Sequence, residues 1–135
     1  MPPDPPFREN MYYLAGGLYG DWRERIIVGT KSQRLVPITP LDSRQHAAFA
    51  FVSDDLAAID RCKAVIAHIC PPPIRNSGTA AELGYAAARQ KPILLIVEDP
   101  VPDMFLVGLA KRMFISVDAF IEWWNDRQAR GTPIC

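Results

Sequence analysis

Short apolar runs alternate along this chain with longer stretches in which apolar residues recur every three or four positions. The first run is Met11-Tyr12-Tyr13-Leu14-Ala15, which ends at Gly16-Gly17. Arg34-Leu35-Val36-Pro37-Ile38, Ala64 to Ile69, Pro92 to Val97 and Arg112 to Val117 follow, each rich in the β-branched or aromatic residues that suit strands. Pro37 removes a ladder donor and assigns its run to a sheet edge or a strand end. The intervening stretches read as helices: Asp21 to about Gly29, Gln45 to Lys63, Gly78 to Arg89, Met104 to Lys111 and Asp118 to Arg130. In the second of these, Phe49, Val52, Leu56, Ile59 and Cys62 share one face; in the last, Phe120, Ile121 and Trp124 turn inward. Strand and helix alternating five times predict an α/β fold, a single-domain parallel five-stranded sheet flanked by helices on both faces, Rossmann- or flavodoxin-like. Residues 1–10, with four prolines and no periodicity, read as a disordered arm before a domain spanning 11–135.

Composition narrows the function classes. The chain has 135 residues, with 15 Lys plus Arg against 15 Asp plus Glu, so no net field draws it to a nucleic acid polymer or an anionic membrane. No apolar run approaches the roughly 20 residues that span a bilayer, and Met1 to Pro6 lacks the apolar centre of a signal peptide. The expected location is cytoplasmic and the expected partner a small molecule. Cys62, Cys70 and Cys135 lack the paired spacing of a zinc site and read as reduced structural thiols. Neither a metal nor a cofactor is expected.

The stretch most suited to chemistry is Asn76-Ser77-Gly78-Thr79-Ala80-Ala81-Glu82-Leu83-Gly84-Tyr85-Ala86, between two strands. In parallel α/β units, ligands gather where a strand gives way to its helix. Glu82 falls in the first turn of that helix, as a nucleophile or as the acid of a Thr79-x-x-Glu82 capping box. Asn76 and Ser77 can cap the helix or bind ligand hydroxyls, and Gly78 opens it. Asp55, on the preceding helix, fits either an active-site acid or a solvated one. Counted back from the strand it precedes, it falls nearer the strand's N-terminal end than Glu82. Tyr13 precedes the small-residue loop with Gly16 and Gly17, where backbone N–H groups can approach a ligand. Asp21 and Glu24 have the spacing of a second capping box. His68 alternates with apolar neighbours as a packed side chain does.

Tyr13-Leu14-Ala15-Gly16-Gly17, the run Asp55-Leu56-x-x-Ile59 before a strand, and Asn76-x-Gly78-Thr79-x-x-Glu82-Leu83-Gly84-Tyr85-Ala86 together resemble the nucleoside 2-deoxyribosyltransferase family and its relatives that hydrolyse nucleoside 5′-monophosphates. The resemblance spans about residues 11 to 97. It implies cleavage or transfer of an N-glycosidic bond, with Glu82 attacking the anomeric carbon, Asp55 assisting the leaving base and Tyr13 orienting Glu82. It also implies that Asp55 reaches the pocket, that Gly16, Gly17, Asn76, Ser77 and Gly78 bind substrate, and that the protein is a homodimer or larger homo-oligomer. The chain departs from the family pattern at Asn76, where many transferases carry aspartate, and at Tyr19, where the monophosphate hydrolases carry arginine. Those departures leave a second class open, a nucleotide-binding or sensing module on the same fold without turnover.

Overall fold

The computed structural model describes residues 11–17, 20–32, 35–36, 48–73, 75–100 and 102–134. Strands β1 (Tyr12–Gly16), β3 (Ala64–Ile69), β4 (Ile93–Val97) and β5 (Arg112–Phe114) form the body of a parallel sheet. A two-residue strand β2 (Leu35–Val36) pairs along the outer side of β1, giving the order β2-β1-β3-β4-β5. Chain order reverses across β1 and β3, which marks the crevice where such sheets bind ligands. The helices are α1 (Trp22–Thr30), α2 (Ala48–Arg61), α3 (Ser77–Ala88), α4 (Met104–Leu109) and α5 (Val117–Arg130).

Alternation along each strand sends neighbours to opposite faces. Tyr13, Ala15, Val65, Ala67, Ile69, Leu95 and Val97 face α2, α3 and α4, meeting Ala58, Ile59, Leu83, Ala86 and Leu106. Tyr12, Leu14, Ile66, Leu94 and Ile96 face α1 and α5, meeting Trp22, Ile26, Phe120 and Trp124. β3 and β4 are buried along their whole length, as central strands covered on both sides must be.

Several local expectations give way to tertiary chemistry. The final strand stops at Phe114, three residues short of Val117. The Ser116 hydroxyl accepts the Ala119 N–H at 3.0 Å and starts α5 at Val117. α4 ends at Leu109 rather than Lys111 and is capped by Asp103, which accepts from Phe105 at 2.8 Å. Asp21 stands at the N-cap of α1 without a side-chain capping bond, so the Asp21–Glu24 box does not form. Nor does the Thr79–Glu82 box, because α3 begins at Ser77 with Asn76 at its N-cap. That start moves Glu82 into the second turn. Residues 1–10, Tyr19, the turn at 39–43, His46, Cys135 and the outer parts of the Arg34–Ile38 and Gln45–Lys63 segments lie outside the described residues. Among the described residues, no helix is long and apolar enough to cross a membrane.

Candidate active site

Two helix stripes make the site. On α2, Val52, Asp55 and Leu56 recur at three- and four-residue spacing; on α3, Gly78, Ala81, Glu82 and Tyr85 do the same. The stripes line a cavity of about 440 Å³ whose walls are mainly apolar, with Asp55 and Glu82 as its two carboxylates. Gly78 leaves it room: among the described residues, and apart from its chain neighbours and the backbone of its own helix, no atom lies within 4 Å of where a Cβ would stand.

Asp55 does reach Glu82, although its count back from β3 places it nearer the other end of the strand. α2 runs back antiparallel to the strands, and the six steps from Asp55 to Arg61 rise about 9 Å. That lifts Asp55 to roughly the middle of β3, whose six residues extend roughly 20 Å.

Tyr13 supplies the third member. Its side chain is buried on the α2–α3 face of β1, and its hydroxyl donates to the Glu82 carboxylate. Among the described residues, the Glu82 oxygen Oε2 is buried with no hydrogen-bond partner. Desolvation, reinforced by the charge of Asp55, raises Glu82 to about 7, against the opposing effects of the Tyr13 hydrogen bond and Arg23. Asp55 is raised to about 6, by burial first and by neighbouring Asp54 second, with Arg23 again opposing. The Tyr13 hydroxyl is held far above its usual range, by burial and then by the two carboxylates, so it remains a donor.

The residue that the sequence pattern does not single out is Arg23. From α1 its guanidinium donates to the carbonyl oxygens of Gly17 (2.9 Å) and Gly16 (2.8 Å). It also lies 4.5 Å from the ring centroid of Trp22, whose indole N–H donates to the same Gly17 oxygen at 3.0 Å. Trp22 explains Gly16, because a Cβ there would stand 2.3 Å from the indole. Arg23 is a largely buried cation whose field reaches Asp55, Glu82 and Tyr13. Its only sequence signal is its place shortly after a glycine pair.

Not every expected binding residue meets the cavity. Of the five, only Gly78 lines it. Asn76 and Ser77 lie on the other flank of α3 and border a separate hollow with Asp99 and Asp103. The Asn76 amide holds the loop after β3 to itself, accepting the Cys70 N–H at 3.2 Å and donating to the Cys70 carbonyl at 3.0 Å. Gly16 and Gly17 turn their carbonyls to Arg23. His68 lies on the opposite face, stacked 4.9 Å from Trp22, with Nε2 3.2 Å from Glu98 and Nδ1 3.4 Å from the Cys70 sulfur. Burial lowers its pKa, which favours the neutral ring. Among the described residues, no group of three or more His, Cys, Asp or Glu side chains is arranged to hold a metal ion.

A half-buried carboxylate with one oxygen out of water, a second carboxyl lining the same cavity and a hydroxyl donor can together stabilise a developing cation and move a proton. Comparison with known proteins bears on which reaction this is. The family model described as nucleoside 2-deoxyribosyltransferase matches residues 12–110. No curated protein matches by sequence. Among solved structures, the fold is similar to a 2-deoxyribosyltransferase from the psychrotolerant bacterium Bacillus psychrosaccharolyticus, with TM-score 0.66 and 16% identity over 82% of this chain and 90% of that one. It is similar also to a 2-deoxyribosyltransferase from Leishmania mexicana, with TM-score 0.62 and 25% identity over 85% and 97%. A third similar structure is the CMP N-glycosidase BcmB of Clostridium botulinum, with TM-score 0.59 and 18% identity over 84% and 96%.

Proposed function

The chain belongs to the nucleoside 2-deoxyribosyltransferase family, and from that premise we propose that it cleaves or transfers the N-glycosidic bond of a nucleoside or nucleotide through Glu82. With Glu82 at about 7 and Asp55 at about 6, the reactive form, Glu82 ionised and Asp55 protonated, is the minority form of the singly protonated pair; from it Glu82 attacks the anomeric carbon as the bond to the base breaks, and the bonding pair leaves on the base nitrogen. Asp55 supplies the proton that the departing base takes up. Water or a second base then gives its proton to the ionised Asp55, attacks the same carbon and displaces Glu82, so two inversions give retention. Tyr13 holds one Glu82 oxygen and leaves the other for the sugar. Gly78, beside Glu82, leaves the cavity open for the substrate.

The observation that carries this reading is the Glu82 carboxyl: linked to Tyr13, with its Oε2 buried and, among the described residues, unpartnered, in an apolar cavity shared with Asp55. An unpaired buried carboxylate oxygen costs stability, and a substrate would use it. The test incubates the protein with a panel of nucleosides, deoxynucleosides and their 5′-monophosphates, with and without an acceptor base, and follows base and exchanged product by chromatography. Released base with no acceptor marks a hydrolase, and exchanged product marks a transferase. Glu82→Ala is expected to lower either by at least about a thousandfold, as loss of a covalent nucleophile does. Undiminished turnover in that variant would remove Glu82 from the chemistry.

A further inference from the structure

The groove between α2 and α3 has a fastened end. One turn beyond Leu56 on α2, the Asp60 carboxylate crosses to α3, where Oδ2 accepts the Tyr85 hydroxyl at 2.7 Å and Oδ1 accepts Arg89 Nε at 2.8 Å. Just past α3, Lys91 Nζ donates to the carbonyl oxygens of Asp60 (2.9 Å) and Cys62 (2.8 Å). These bonds tie the helices together near the N-terminal edge of the sheet. At the level of Asp55 and Glu82 a cavity separates them. Tyr85 belongs to both levels: it lines the cavity one turn from Glu82, and its hydroxyl is fixed to the opposite helix.

We propose that Asp60 is a positioning residue, which through the Tyr85 hydroxyl closes the inner end of the groove and sets the separation across which Asp55 and Glu82 face a substrate. The inference rests on the catalytic reading above for its effect on rate, but the geometric part stands apart from turnover. Asp55 lies five residues from Asp60 on one helix and Glu82 three from Tyr85 on the other, so a shift at the clamp moves one carboxylate relative to its partner. A misplacement of about 1 Å can lower a rate on the order of a hundredfold. Tyr85 and Asp60 hold each other in register: the carboxylate is kept below its usual range, first by the Tyr85 hydrogen bond and then by Arg89.

The experiment compares Asp60→Ala, Asp60→Asn, Tyr85→Phe and Lys91→Met, at a temperature well below the unfolding of each. Lys91 joins the same helix ends through backbone carbonyls and controls for helix docking alone. Two readouts are taken: kcat and KM on the substrate found by the panel, and titration of the Glu82 carboxyl by carbon NMR in the free protein, which needs no turnover. Among the described residues, the groups acting on Glu82 are Tyr13 from β1, Arg23 from α1 and Asp55 from α2, and none is altered. Asp60→Ala and Tyr85→Phe are expected to lower kcat at least about tenfold with KM changing far less, and to bring the Glu82 titration down as water enters the groove. Asp60→Asn keeps an acceptor for Tyr85 and should recover most of the rate; Lys91→Met should keep both readouts near wild type. An unmoved Glu82 titration in Asp60→Ala, or equal loss of kcat in Lys91→Met, overturns the proposal. If the wild-type protein turns over no member of the panel, the catalytic reading fails by itself, and the titration alone still decides the clamp.

Discussion

Tyr12 and Tyr13 are neighbours in β1, both buried, and they belong to different kinds of interior. Tyr12 enters the α1–α5 face, where its ring meets Trp124 edge-on at 5.0 Å beside Phe120, Phe114 and Trp22. Tyr13 enters the α2–α3 face, where its hydroxyl meets a carboxylate. One face is closed by aromatic rings that interlock; the other leaves a cavity beside Gly78 and Ala81, with α2 and α3 joined at one end by Asp60. The difference teaches where this fold draws its stability. Aromatic burial on one side offsets the cost of keeping two acids out of water on the other.

The comparison breaks most visibly at Trp124. Trp124→Ala is expected to lower stability by about 3–5 kcal/mol, the usual result of emptying a large core site, without changing the pH profile of the remaining folded enzyme. Chemical denaturation and a rate–pH curve check both halves, and a displaced profile would mean that the two faces are coupled.

Next in size, and opposite in sign, is Glu82→Gln. In the folded protein Glu82 titrates near 7 rather than 4.5, so the native state holds a proton that the unfolded chain has released, and stability falls as pH rises between those values. Removing the charge should therefore stabilise the protein by roughly 2–3 kcal/mol at about pH 8 and by almost nothing near pH 4. Thermal unfolding at the two pH values decides it; equal effects at both would show that Glu82 is not desolvated.

Tyr13→Phe sharpens the contrast with Tyr12. Activity that needs one carboxyl ionised and the other protonated should follow a bell between limbs at about 6 and about 7, which belong to the pair. Losing the hydroxyl should lower kcat about tenfold, the equivalent of one hydrogen bond to a charged group, and raise the upper limb. Tyr12→Phe gives the reference, with both limbs in place.

Smallest of all is Arg25→Ala. Its ion pair with Asp118 joins α1 to α5 at 2.8 Å, but the two side chains are 41% and 83% exposed. A loss of at most about 0.5 kcal/mol is expected, again read by denaturation. A larger loss would mean that surface charge, and not aromatic packing, holds that face.

Much of the fold is legible in the chain. Period-two alternation through Tyr12-Tyr13-Leu14-Ala15 is enough to assign these residues to opposite faces of a strand, and Glu82 stands out as the one acid of α3, whereas Asp55 shares α2 with Asp54 and Asp60. Their meeting is not legible, because it depends on how far α2 climbs along β3. Glu82's place in the second turn is hidden by Thr79-x-x-Glu82, a sequence that imitates a cap; Thr79 is instead buried inside α3. Asn76 has the look of a capping or ligand residue, yet its amide is engaged with both backbone groups of Cys70. A carboxylate cannot complete that pairing, because it has no N–H to donate. Arg23 and Asp60 escape notice in the sequence for a common reason: each acts through a partner that no local spacing identifies.

By itself, the sequence determined the alternation of strands and helices, the parallel sheet and the acids available for chemistry, since these follow from periodicity and side-chain type along a continuous segment. Tertiary structure alone decided which of those acids share a cavity, how far each proton is held from its ordinary pKa, and that Tyr85 and Asp60 fasten the groove. Those outcomes depend on distances between separate helices and on the water excluded there, quantities that exist only once the elements have packed.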